Sequence, residues 1–294
     1  MENSRNQTNN SFHRKWTHGN KAFLSTTLDE NSEIFNWIIN RNGFKSIAEF
    51  RNWVGPRKRI LDAGCGNGRV TLLLRRYSLP ETEIVGIDYA SHQIAEANFE
   101  GIPNSSFMHA DLMEDMSSLG YFDLIYCQEV LHHTENPQKS FLNLIDLLTH
   151  NGEIAIYVYK KKSVNREFSD DYVRSIIEKL SFEEAKDVIG QITDFARLIS
   201  QIPGTIRFPE LPVLGIRAQE LSLHRFIYNN FFKNFWNKDL SYEENFLVNF
   251  DWYHPSTCFR HTMPEVLGWF QKSGLSVIHA VEDDYGITIR GIKS

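Results

Sequence analysis

The chain has 294 residues, 41% of them hydrophobic and 23% charged, enough for one large domain or one core carrying an insertion. A formal charge of −6 gives no overall field for a phosphate backbone, so nucleic acid is disfavoured as a partner. No apolar run reaches the roughly 18–20 residues needed to cross a bilayer, and Cys65, Cys127 and Cys258 are too widely spaced to suggest a disulfide framework or a zinc site. These features point to a protein of a reducing compartment, the cytoplasm, with no membrane partner and no metal.

Residues 1–20 are polar, rich in Asn and Ser, and carry no apolar signal region, so the composition suggests a flexible segment. Residues 29–54 place Ile34, Trp37, Ile38, Ile47, Phe50 and Trp53 at helical spacing. From Pro56 onward, short apolar runs at 59–64, 83–88, 106–111, 122–127 and 153–159 read as strands. Helical stretches at 68–77, 91–99 and 137–149 alternate with them, the pattern of a parallel sheet covered on both faces. After residue 159 the rhythm changes. Residues 168–201 and 217–250 carry helical periodicity on either side of a Pro-containing stretch at 202–215. A short helix at 264–273 and two adjacent strands at 276–283 and 285–292 close the chain. The expected fold is α/β and Rossmann-like, with a mostly parallel seven-stranded sheet and an antiparallel C-terminal hairpin. A helical insertion separates the fifth strand from the last helix.

The most informative stretch runs from Ile60 to Gly68, where a buried strand enters the turn Gly64-Cys65-Gly66-Asn67-Gly68 and a helix follows. Glycines there allow a sharp turn and a close ligand approach. Asp88 ends the next strand, where a carboxylate can accept both hydroxyls of an adenosine ribose. The spacing is G-x-G-x-G, and Arg69 stands where a dinucleotide site needs a small residue. That favours a nucleoside cofactor without phosphates.

With these motifs in order, the chain resembles the class I S-adenosylmethionine-dependent methyltransferases. The resemblance rests on LDAGCGNG, on Asp88 in VGIDYA, on Asp111 in HADLMED and on FDLIYCQEVLHHTENP. It implies a core at 56–160 and 262–294, leaving an N-terminal flexible segment with helices at 1–55 and a helical insertion or substrate lid at 161–261. It also implies S-adenosyl-L-methionine as cofactor and S-adenosyl-L-homocysteine as product. Asp62, Gly64, Cys65 and Gly66 would then lie beside the methionyl part, and Gln128 would wall it. Asp88 would hold the ribose, Tyr89 would pack on the adenine, and Asp111 with Leu112 would meet the adenine edge.

Methyl transfer is an in-line displacement helped mainly by alignment and exclusion of water, with a base where the nucleophile is an oxygen. His132 and His133 follow the fourth strand; His132 also reads as a wall residue and His133 as solvated. Asp251-Trp252-Tyr253-His254 and Phe259-Arg260-His261 form an unusual chemical concentration, read as a loop roofing the pocket or as a packed corner. His254, His261, Tyr253 and His132 are the candidate catalytic groups. Arg225, Tyr228, Trp252 and Arg260 are the candidate substrate contacts. The expected acceptor is a small molecule, a metabolite, sugar or natural-product intermediate, methylated at oxygen or nitrogen. An RNA or protein methyltransferase and a non-catalytic cofactor-binding subunit are the alternatives. Residues 16–20 have the composition of a cofactor lid, and the insertion suits either a lid or a homo-oligomer interface.

Overall fold

In the computed structural model, which describes residues Glu2–Ser294, the chain forms two compact units. One comprises Trp16–Lys160 and Thr257–Ser294, the other Glu2–Lys15 and Lys161–Ser256. Helix α1 (Glu2–His18) opens the chain. The polar start expected to be flexible is therefore helical, and Thr8, Ser11 and Lys15 are buried on it. Composition misled here because the buried groups are polar and find polar partners: Lys15 Nζ meets Asp251 at 2.6 Å.

In the first unit, α2 (Leu24–Leu28), α3 (Glu33–Arg41) and α4 (Ile47–Val54) precede the sheet. Ser32 and Ser46 start α3 and α4 by accepting from the backbone N–H groups of Phe35 and Glu49. Strands β1 (Arg59–Ala63), β2 (Glu83–Asp88), β3 (Ser105–His109), β4 (Phe122–Gln128) and β5 (Leu148–Tyr159) alternate with α5 (Arg69–Tyr77), α6 (His92–Asn98) and α7 (Pro137–Asp146). The second unit's elements follow in sequence. They are α8 (Val164–Ile177), α9 (Phe182–Ser200), β6 (Ile206–Phe208), β7 (Gln219–Leu221), α10 (Leu223–Asn230) and α11 (Tyr242–Tyr253). The chain then returns to the first unit with α12 (Met263–Lys272), β8 (Leu275–Glu282) and β9 (Gly286–Lys293).

The large sheet has the order β3-β2-β1-β4-β5-β9-β8. Strands β1 to β5 pair in parallel, and β9 joins β5 antiparallel. The reversal of strand order at β1 and β4 puts a crevice beyond their carboxyl ends, where ligands of open α/β sheets bind. Alternation along each strand separates two cores. Leu61, Ile125, Ile154 and Ile156 pack with Phe141 of α7 and Trp269 and Phe270 of α12. Ile60, Ile84, Leu124 and Tyr126 face Phe35, Phe50, Trp53 and Leu73. The C-terminal hairpin expected at 276–283 and 285–292 is β8 and β9, shifted by one residue.

The second unit is less regular than the periodicity at 217–250 suggested. A two-stranded β6–β7 hairpin replaces part of it, and residues 231–241 form neither strand nor α-helix. Buried asparagines of α11 hold that segment. Asn249 accepts from Phe235 N at 2.7 Å and donates to Phe235 O at 3.0 Å, while Asn245 accepts from Asn237 N at 2.6 Å. Each amide replaces the backbone partner that a helix would have supplied. The expected roofing loop at 251–262 is also resolved differently. Asp251, Trp252 and Tyr253 are the last turn of α11, His254 caps it, and the chain returns to the first unit at Thr257, before Phe259, Arg260 and His261.

Candidate functional site

The ends of the four adjacent strands β3, β2, β1 and β4 carry Asp111, Asp88, the glycine turn and Gln128. Gly64 N and Cys65 N both donate to Ile87 O, at 2.7 and 2.9 Å, which bends the chain back over β2. Gly64 has φ +83°, and a Cβ there would meet Val130 at 2.2 Å. Gly66 has φ +55°, and a Cβ there would meet the Trp16 indole at 2.8 Å. Both positions need the left-handed region and open space, so glycine is required at each. Cys65 is buried, and burial pushes its thiol well up.

Asp62 is buried below the turn and accepts from the Thr71 hydroxyl at 2.5 Å. Burial pushes its carboxyl up to about 7, against the pull of Thr71 and Arg69. Asp88 accepts from Ala90 N and Ser91 N through Oδ1, at 2.8 and 2.7 Å, and from Gly66 N through Oδ2 at 3.1 Å. Its carboxyl therefore builds the loop it belongs to, although burial raises its pKa. Tyr89 is 38% exposed, its ring 4.8 Å from that of His109. Asp111 Oδ1 accepts from Met113 N at 2.8 Å, a local turn in place of a helix cap. Leu112 is buried, and its carbonyl takes Asn143 Nδ2 at 2.8 Å. Gln128 accepts from the Tyr126 hydroxyl at 2.7 Å, while its buried Nε2 has no hydrogen-bond partner.

Residues 16–23 are tied to this turn. Asn67 Nδ2 donates to Ala22 O at 2.9 Å, Asn98 Nδ2 to Asn20 O at 2.8 Å, and Lys21 Nζ reaches Asn98 Oδ1 at 2.6 Å.

Residues 55–201, half of the chain, match a family model described as a methyltransferase domain. The chain belongs to the methyltransferase domain family. An uncharacterised protein of Synechococcus sp. is 36% identical over 108 residues, which cover 35% of this chain and 26% of that protein. Trans-aconitate 2-methyltransferase of Deinococcus radiodurans is 28% identical over 103 residues, 35% of this chain and 38% of its own length. Ubiquinone biosynthesis O-methyltransferase of Rickettsia felis is 26% identical over 160 residues, 51% of this chain and 64% of its own length. The similarity thus spans between 26% and 64% of these three relatives' lengths.

The cofactor implied by this methyltransferase family is S-adenosylmethionine, and the strand ends fit it. Two glycines leave space that a Cβ would fill, acids end β2 and follow β3, and an unpartnered buried donor stands at the end of β4.

The remaining site residues divide between the two units. In the first unit, His132 is fully buried, stacked on Tyr159 at 3.8 Å, and its Nδ1 accepts from Tyr159 N at 3.3 Å. His133, read as solvated, instead donates from Nδ1 to Thr257 O at 2.7 Å. His261 is joined to β5 by its N–H on Tyr159 O at 2.9 Å, and its Nδ1 meets Glu265 Oε1 at 2.8 Å. Arg260 Nη1 donates to Cys258 O at 3.1 Å.

In the second unit, Tyr253 donates to Asp170 Oδ1 at 2.7 Å, and Trp252 Nε1 donates to Asp170 Oδ2 at 2.8 Å. Arg166 Nε donates to the same Oδ2 at 3.0 Å. Tyr228 is buried with its ring 4.6 Å from the Arg166 guanidinium, and Arg225 lies over the same ring at 4.9 Å. His254 is buried against Phe250, its ring nitrogens meeting Ser11 Oγ at 2.8 Å and Leu180 O at 3.3 Å. The polar atoms of Tyr253, Trp252 and His254 are thus engaged in the interior of that unit. Sequence reasoning missed Asp170 as the common partner of Trp252, Tyr253 and Arg166; an aspartate inside an amphipathic helix carries no mark of it. Among the described residues no helix is long and apolar enough to cross a membrane, and no three His, Cys, Asp or Glu side chains are grouped to hold a metal.

Proposed function

We propose that this protein transfers a methyl group from S-adenosylmethionine to an oxygen or nitrogen of a small molecule. The observation that carries the reading is the row of strand ends with two obligatory glycines, Asp88, Asp111 and the unpartnered Gln128 amide. When bound, S-adenosylmethionine supplies an electrophilic methyl group on a sulfonium. Asp88 holds the ribose through lone pairs left by its three loop contacts, and Tyr89 packs on the adenine. Asp111 accepts from the adenine edge, and residues 16–23 cover the glycine turn and exclude water.

For an oxygen acceptor, His261 is the base. Its Nδ1 proton is directed to Glu265, which leaves Nε2 as the basic nitrogen and stabilises the imidazolium that forms. A small acceptor accords with the −6 charge and with relatives named for trans-aconitate and for ubiquinone biosynthesis. The proposal includes a reducing, cytoplasmic setting, in keeping with three buried free cysteines.

The test is a labelling assay with methyl-labelled S-adenosylmethionine and cell extract split into small-molecule, protein and RNA fractions. Label in the small-molecule fraction, lost with Tyr89→Ala and reduced at least about tenfold with His261→Asn, supports the reading. Label confined to protein or RNA overturns the acceptor class, and no label in any fraction overturns the activity.

A further inference from the structure

Helix α8 is turned the opposite way from an ordinary surface helix, which hides its apolar stripe. Its charged residues Arg166, Asp170 and Arg174 are buried, while Val164, Phe168, Tyr172 and Ile176 are between 48% and 78% exposed. Each set recurs at every fourth residue, and the two sets stand about 200° apart around the helix. The inward side is fixed in place. Arg166 Nε donates to Asp170 Oδ2 at 3.0 Å, and Arg174 Nε and Nη2 donate to Trp252 O at 3.1 and 2.8 Å. Turning the helix over would strip those buried charges of their partners, so the apolar row stays in water.

The exposed row continues beyond the helix. The Pro212–Leu214 turn lies beside the start of α8, since a Cβ on Gly215 would come within 3.9 Å of Val164 Cγ2, and Val213 on that turn is 86% exposed. At these exposures the five side chains present roughly 600 Å² on each copy of the chain. Two copies meeting over them would withdraw about 1,200 Å² from water, as much as the smaller stable interfaces bury. A row at every fourth residue is also the ridge that packs into grooves of its own kind. Two copies of α8 crossing about a twofold axis near residue 170 bring Phe168 of one copy against Tyr172 of the partner subunit, twice over. The charges beside the row are met within the chain: Glu167 accepts from Lys162 N at 2.7 Å, and Asp171 pairs with Arg174 at 2.9 Å. Pairing therefore sets no uncompensated charge against its like. A bilayer surface calls for Lys or Arg beside an apolar row, where this helix carries Glu167 and Asp171.

We propose that the outer face of α8, extended by Val213, is the interface of a homodimer of this protein. Its occupant is the same face of a second copy. The dimer needs no ligand and stands apart from the methyltransferase reading.

Sedimentation velocity of the full chain from about 1 to about 100 μM tests it, alongside Phe168→Glu, Tyr172→Lys and the variant carrying both. Circular dichroism and urea unfolding confirm that each variant folds, as expected for exposed positions. The unsubstituted protein should sediment as a dimer. Either single substitution puts a charge into the apolar contact and should weaken association at least about tenfold. The double variant should regain most of that loss, because its opposite charges face each other across the twofold axis. Tyr121→Glu, at an equally exposed aromatic of the first unit, should leave association unchanged. An unsubstituted protein that stays monomeric throughout overturns the proposal, and so does a dimer that Phe168→Glu leaves intact. A monomer that floats with phosphatidylcholine vesicles, and no longer does so as Phe168→Glu, assigns the face to a bilayer and overturns it as well.

Discussion

A carboxyl pushed up to about 7 makes Asp62 the residue whose protonation most directly enters the folding balance. Its native pKa lies above the unfolded carboxylate value, so the folded state binds its proton more tightly. The stability it contributes is complete below about pH 4 and is lost as pH rises towards 7. Asp62→Asn should remove that dependence and become more stable relative to the parent by on the order of a few kcal/mol between pH 5 and 8. Urea unfolding at the two pH values checks this, and parallel changes in the two proteins would refute it. Asp88 needs different handling, because its three backbone contacts mean that Asp88→Ala removes loop structure as well as a ribose partner. The acids at the ends of β1 and β2 were legible in sequence because they sit at fixed distances from glycines. The burial of Arg41 beside Trp37 and Tyr157 was not, because a basic residue in a last helical turn is ordinary dipole compensation.

Among the elements, β5 is tied most heavily. Glu153 on β5 is 3% exposed and pairs with Arg57 at 2.8 Å and with Arg290 of β9 at 2.7 Å. Removing it leaves two partly buried guanidinium groups without their shared anion. Glu153→Ala should cost about 3 kcal/mol or more in urea unfolding; a loss below about 1 kcal/mol would mean that solvent replaces the carboxylate. The alternating strands and helices before residue 160 were readable because each strand is a short apolar run bounded by turn residues. The second unit was not readable to the same depth. Asn245 and Asn249 support residues 235–237 from a helix eight or more positions away, and local periodicity carries no trace of such pairings.

For the molecule as a whole, the two units carry opposite pH responses. His224 and His254 in the second unit have pKa values lowered chiefly by burial. Their contribution is present above about pH 6.5 and is lost as pH falls through their folded values. In the first unit the raised carboxyls of Asp62 and Asp88 act in the other direction. Hydrogen exchange at pH 5.5 and 8 should show protection shifting towards the first unit in acid. The double variant His224→Gln, His254→Gln should flatten the response of the second unit alone. Protection that moves together in both units would contradict this assignment.

The central claim is that the row of strand ends binds S-adenosylmethionine. Titration calorimetry with S-adenosylhomocysteine tests it most directly, comparing the unsubstituted protein with Tyr89→Ala, an exposed position that leaves the Asp88 loop contacts in place. The account predicts saturable binding with one site per chain, weakened at least about tenfold in Tyr89→Ala at unchanged thermal stability. A folded, unsubstituted protein that takes up no S-adenosylhomocysteine would contradict it.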